Sequence, residues 1–296
     1  MSEKISNETI CLKQYISEKN YKEISELEGL CRSQDKTNLK LELDYRLNVG
    51  RNSEMGLKEV NEFLYYTQDV LTAYLSISSY GGSNIAEING MTHPAFRRKG
   101  LFKKLFELAI EECKKRNFNK ILLLSDGNSD SGIEFIKAVN GEYDFSEYRM
   151  KQLNKTTLES INSISLRKAE KLDGKEIGRQ NAIYFDHSEQ CECFPEEDEK
   201  LDQITYMIEL KKVVIGKIRV DYSGNSAFIC GFGILPDFRG KGYGKAALIE
   251  TLHLINQKNI YEIGLDVECK NNAALNLYRA CGFEEQSVMK YYKYSI

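Results

Sequence analysis

Pro94-Ala95-Phe96-Arg97-Arg98-Lys99-Gly100 and Pro236-Asp237-Phe238-Arg239-Gly240-Lys241-Gly242 share one pattern, Pro-x-Phe-Arg-x-Lys-Gly. Each follows an apolar run and precedes a segment with helical spacing. The match is too specific for chance turns, so the chain is constrained to two domains of one fold. At 296 residues it is also longer than a usual single domain. The polar stretch 154–163 is the expected boundary, giving domains 1–153 and 164–296.

The elements expected on either side of that boundary recur in the same order. In the first half, helical spacing predicts one or two helices over 7–31, and strict alternation over 39–47 favours a strand, although Leu, Glu, Lys and Arg are helix formers. Strands over 62–66, 70–80 and 84–91 form an antiparallel meander. A helix over 101–116, a strand over 121–124, a helix over 131–139 and a strand over 143–153 follow. In the second half the sequence predicts a strand over 165–168, a helix over 173–184, an acidic loop over 190–200 and strands over 203–210, 213–222 and 226–235. A helix over 245–258, a strand over 261–268, a helix over 273–281 and a strand over 283–294 complete it. The fold class is α+β.

Lys plus Arg number 41 against 44 Asp plus Glu, a net charge of −3, so no global basic field draws the chain to nucleic acid or to an anionic membrane. No apolar run approaches the roughly 20 residues of a membrane helix, and the first seven residues lack a signal-peptide apolar core, which points to a cytoplasmic address. The eight cysteines lie mostly in apolar patterns and suit reduced core thiols. His187, Cys191 and Cys193 are the only metal-like cluster, and without a second ligand pair no metal site is expected.

Between the strand over 226–235 and the next helix lies Arg239-Gly240-Lys241-Gly242-Tyr243-Gly244. A helix start leaves its first N–H groups unpaired, and glycines let the backbone curl until those donors converge on one anion. A phosphate or pyrophosphate fits that description, and a tight turn with a solvated Arg and Lys is the plainer alternative. A dinucleotide fingerprint on Gly240, Gly242 and Gly244, with Glu262 on a ribose, is disfavoured by the misplaced third glycine and the preceding meander.

Arg-x-x-Gly-x-Gly after Leu235-Pro236, with Asn271-x-x-Ala274-x-x-Leu277-Tyr278 and Gly282-Phe283 downstream, resembles the GCN5-related N-acetyltransferases (GNAT). The resemblance covers nearly the whole chain, strongly in the second half and loosely in the first, and the tandem arrangement is similar to mycothiol synthase-type proteins. It implies two acetyltransferase-like domains, each a mixed, mostly antiparallel sheet flanked by helices. It also implies an acyl-CoA-dependent N-acyltransferase, with acetyl-CoA as co-substrate and a small-molecule or peptide amine as acceptor. On this resemblance Gly240, Lys241, Gly242, Tyr243, Gly244 and Lys245 cradle the pyrophosphate, and Arg239 adds charge. Ile234 and Leu235 pair with the pantetheine arm and point an N–H at the thioester oxygen. Asn271 caps the last helix and touches that arm, although capping alone would account for it. The Tyr278 hydroxyl reaches the CoA sulfur as proton donor, against the alternative of a packed core tyrosine.

No general base stands out, although Asp266 and Glu268 share one face of their strand. The first half departs from the pattern, with Phe102 in place of Gly244 and Ile136 in place of Tyr278. It is a degenerate copy that binds CoA weakly, shapes the acceptor pocket or only stabilises its neighbour. The competing function is a catalytically silent CoA-binding or interaction module.

Overall fold

The computed structural model describes residues 7–51, 58–79, 84–152, 164–185 and 193–295. The first half runs β1 (Glu8–Lys13), α1 (Glu18–Asp35), α2 (Leu43–Arg51), β2 (Glu62–Thr67), β3 (Val70–Ser78), β4 (Ile85–Thr92), α3 (Leu101–Lys115), β5 (Lys120–Asp126), α4 (Asp130–Ala138) and β6 (Glu142–Gln152). The second runs β7 (Ser165–Lys168), α5 (Gly174–Phe185), α6 (Pro195–Glu199), β8 (Gln203–Leu210), β9 (Val213–Ser223), β10 (Ser226–Ile234), α7 (Tyr243–Gln257), β11 (Glu262–Glu268), α8 (Asn272–Arg279) and β12 (Phe283–Tyr294).

By their contacts these elements form two compact units, Met1–Ser146 with Ser287–Ile296, and Glu147–Gln286. In the first unit β1 to β4 pair antiparallel in succession, and β4 then lies parallel to β5. Met289–Tyr294 of β12 close the far side of β5 antiparallel. Both faces of this sheet are buried: Phe63, Leu105 and Ala109 belong to the cluster under α3, and Ile24, Leu27 and Leu64 to the cluster under α1. In the second unit β7 to β10 pair antiparallel, β10 lies parallel to β11, and the Glu147–Lys151 part of β6 pairs antiparallel with β11. Its main cluster joins Ile218, Val220 and Leu265 to Ala247, Leu248 and Leu252 of α7. Each unit is a mixed, mostly antiparallel sheet flanked by helices, as the sequence implies.

These units are not the two segments expected from the sequence. The C-terminal part of β6 goes with the second unit and residues 287–296 with the first. Each unit therefore takes the strand beside its parallel pair from the other half of the sequence, an exchange that equivalent strands make cheap. The stretch 154–163 lies outside the described residues.

Three local expectations are corrected. Residues 8–13 are a strand rather than helix, paired along β2; α1 starts only after Ser17, whose hydroxyl accepts the Asn20 N–H in a capping box. The alternating stretch 39–47 ends in α2 because Leu43 and Leu47, four apart, are buried together while Tyr45 is exposed. Within the acidic stretch, Pro195–Glu199 form a short helix with proline in the first turn; residues 190–192 lie outside the described residues.

Candidate functional site

The loop after β10 starts with a single 3-10 turn, Pro236–Phe238, reproduced by Pro94–Phe96. Arg239 Nε donates to the Ile234 carbonyl at 2.8 Å, as Arg97 Nε donates to the Thr92 carbonyl at 3.1 Å. The conserved geometry shows that this arginine braces the turn in both units. Gly240 and Gly242 have φ of 73° and 83°, matched by 61° at Arg98 and 79° at Gly100. Gly242 caps α7, whose first turn bond runs from the Ala246 N–H to the Gly242 carbonyl at 3.1 Å. The N–H groups of Tyr243, Gly244 and Lys245 therefore have no partner within the helix. Lys241 folds back, its Nζ donating to the Asp237 carbonyl at 2.9 Å, and Lys245 is exposed.

The loop meets the strand end and the last helix at Gly244. A Cβ there would stand 3.6 Å from Leu277 Cδ2, 3.8 Å from Ile234 Cγ1 and 3.9 Å from Phe232 Cζ. On β10 the parallel ladder to β11 ends at Ile229↔Leu265, while the antiparallel ladder to β9 continues to Ile234↔Gly216. The Leu235 N–H is taken by the Ile215 carbonyl at 2.8 Å. Because antiparallel bonding alternates, the Ile234 N–H points away from β9, toward the side where pairing with β11 has ended. Of the two residues expected at this strand end, Ile234 keeps a donor available for a ligand and Leu235 does not.

Asn271 is the N-cap of α8, its side chain accepting the Ala274 N–H at 3.1 Å. Tyr278 is 8% exposed and packs edge-on to Phe283 with ring centroids 6.0 Å apart. Burial, with the Cys230 thiol nearby, pushes its hydroxyl up to about 12. Among the described residues no protein group hydrogen-bonds that hydroxyl, so it is a protonated donor without an internal acceptor.

The first unit keeps the loop and fills the space. A Cβ on Gly90 would lie 2.8 Å from the Phe102 ring, which also packs edge-on to Phe135 at 4.9 Å. In the second unit Gly244 on the helix faces Phe232 on the strand; in the first, Phe102 on the helix faces Gly90 on the strand. Asp35 takes both terminal nitrogens of Arg97. Asn140, with φ of 61°, is the left-handed counterpart of Gly282, φ 84°. That match sets Ile136 opposite Tyr278.

Of the carboxylates considered as bases, Asp266 is held through both oxygens by Arg149 of β6, and the exposed Glu268 is opposite Glu147. Glu262 pairs with Lys151 rather than standing at a ribose position. Among the acidic residues of α6, Glu197 and Glu199 are paired with Lys200 and Lys168. The described residues contain no cluster of three or more potential metal ligands; His187 and Cys191 lie outside them. No helix among the described residues is long and apolar enough to cross a membrane.

Sequence reasoning missed the group around a bulge in β10. Between Cys230 and Gly233 the register slips, so Gly231 and Phe232 together stand opposite one residue of β9. Gly231 has φ of 54°, and Lys217, 3% exposed, reaches its carbonyl with Nζ at 2.9 Å. The signal was a set of charged residues, Lys217, Arg219 and Asp221, at alternate positions of an otherwise apolar run in β9.

The acetyltransferase (GNAT) family profile matches residues 26–139 and 175–283. An uncharacterized N-acetyltransferase of Bacillus subtilis (strain 168), YycN, is 35% identical over 69 residues, which are 23% of this chain and 44% of that protein. The chain thus spans less than half the length of this curated relative. The crystal structure of a GCN5-related N-acetyltransferase from Sphaerobacter thermophilus superposes with a TM-score of 0.74 at 15% identity, covering 96% of this chain and 95% of that one. A tandem GNAT protein from the clavulanic acid biosynthesis pathway gives 0.71 at 12% identity, covering 97% and 98%. With both halves matched by the profile and the tandem fold shared end to end, the chain belongs to the acetyltransferase (GNAT) family.

Proposed function

We propose that the chain is an acyl-CoA-dependent N-acetyltransferase whose second unit performs the transfer. Acetyl-CoA is the co-substrate and a small-molecule or peptide amine the acceptor. One observation carries this reading: around Gly244 the second unit brings together unpaired helix N–H groups, the outward Ile234 N–H and α8, which bears the unpartnered Tyr278 hydroxyl, whereas the first unit puts Phe102 there.

Acetyl-CoA supplies a thioester whose acyl carbon is attacked by the amine. The N–H groups of Tyr243, Gly244 and Lys245, aided by the helix dipole, suit its diphosphate. Gly240 and Gly242 allow the left-handed turns that aim them. The Ile234 N–H suits the thioester oxygen, where negative charge develops. Tyr278 holds its proton to about 12, above a thiol's reference of about 8.5. Its hydroxyl therefore hydrogen-bonds the departing sulfur, and the proton that passes to sulfur is replaced on the Tyr278 oxygen by the one the attacking nitrogen loses, so the amide and the free thiol form while the tyrosine ends protonated.

Thiol release on mixing the protein with acetyl-CoA and a panel of amines tests the proposal. Release that requires both components is expected. Acetyl-CoA binding without release from any amine would favour a silent CoA-binding module instead.

A further inference from the structure

A bulge leaves a backbone carbonyl out of the ladder, and a buried orphan carbonyl must find another donor. In β10 that carbonyl is Gly231's and the donor is Lys217, from the facing strand. An ammonium is an expensive choice for such a place, because burial disfavours its charge. The first unit avoids the problem: β4 pairs with β3 without a register shift. With the extra β10 residue allowed for, Tyr74 opposite Met91 occupies the place of Lys217 opposite Gly233.

Among the described residues, the neighbours of Lys217 come from β9, β10, α5 and the start of α6. Arg219 precedes Asp221 on the same face of β9 and pairs with it at 2.9 Å, and Cys230 and the Gly231 carbonyl face it from β10. The rings of Tyr184 and Phe185 on α5 lie 5.9 and 5.5 Å away, while Cys193 and Asp198 act on it from α6 and the residue just before its cap. The Tyr184 ring also covers Gly233, where a Cβ would stand 2.4 Å from it. The bulge is thus clamped between a lysine and a tyrosine, immediately before the strand end that carries the Ile234 N–H.

We propose that Lys217 is a positioning residue for acetyl transfer, its ammonium holding the Gly231 carbonyl so that the bulged segment Gly231–Ile234 stays in register beside the thioester. The role rests on the second unit being the catalytic one. Burial, followed by the Arg219 charge, pulls Lys217 down to about 8. The clamp is therefore charged below that pH and loses its charge as pH rises through it. Cys230 and Tyr278 are pushed up to about 11 and about 12 by burial, so neither produces a limb near 8.

The test compares Lys217→Met, which removes the donor, with Lys217→Arg, which keeps a charge that does not titrate in this range. Hydrogen exchange across residues 230–235 of the full chain, without substrate, is expected to quicken about tenfold in Lys217→Met and to be restored by Lys217→Arg. Unchanged protection in Lys217→Met overturns the clamp whether or not the protein is a transferase. In turnover, kcat of the unaltered chain should decline with a midpoint near 8. Lys217→Arg should lose that decline, and Lys217→Met should show a low, flat kcat with KM for acetyl-CoA little changed. A lysine that merely fills space would leave the alkaline limb in all three proteins, which also overturns the proposal. Thiol release absent from every protein at every pH, with the exchange effect present, would defeat the transferase reading and its positioning role while leaving the clamp in place.

Discussion

Replacing Tyr278 by Phe removes one oxygen from a side chain that is 8% exposed. Because no protein group among the described residues bonds that hydroxyl, no internal hydrogen bond is lost, and the ring keeps its edge-on contact with Phe283. Stability should therefore change by less than about 1 kcal/mol, the cost of losing one intramolecular hydrogen bond. The proton donor disappears entirely. A positioned general acid contributes about 10²- to 10⁴-fold, equivalent to about 2.7 to 5.4 kcal/mol of barrier at about 1.36 kcal/mol per decade. Since the interaction strengthens only as charge develops on sulfur, kcat and kcat/KM should fall together while acetyl-CoA affinity is retained. Melting temperature, calorimetric titration with acetyl-CoA and steady-state thiol release on one preparation provide the measurement. An unchanged kcat would falsify the role of Tyr278, and a large loss of melting temperature with normal turnover would make it a core residue only.

Gly242→Val and Gly100→Val impose comparable strain, since their φ values are 83° and 79°, costing about 1–2 kcal/mol each; calorimetry should find acetyl-CoA binding abolished only in the first, and equal losses would mean that the first unit also holds it. A fragment 164–296 lacks Met150, which is fully buried in the second unit, a deletion on the scale of about 2–5 kcal/mol; a fragment 147–286 should melt cooperatively by circular dichroism where 164–296 does not. Asp266→Asn should leave kcat within about threefold and cost under about 1 kcal/mol, as expected for an ion pair with a partly exposed arginine; a large selective loss of kcat would restore Asp266 as a base.

The repeated Pro-x-Phe-Arg-x-Lys-Gly motif was enough to show two copies of one fold, because a braced turn with left-handed positions before a helix is local chemistry written in consecutive residues. The same holds for Asn271 as a cap and for most strands, whose apolar period depends only on their own side chains. Three features escaped. The strand at 8–13 depends on β2 for its partners, and α2 depends on which leucines find a core. The β10 bulge depends on one extra residue relative to a strand elsewhere in the chain, which no periodicity within β10 reveals.

The sequence by itself determined the duplicated fold, the glycine-bordered helix start and the substitution of Phe102 for Gly244, since each follows from backbone freedom and side-chain volume at fixed positions. Only the tertiary structure decided that β6 and β12 are divided between the units, that Asp266 is neutralised by Arg149, that Leu235 has spent its N–H and that Lys217 holds the bulge carbonyl. The physical reason is that hydrogen bonds and ion pairs between distant strands are set by register and burial, and both arise only when the whole sheet has assembled.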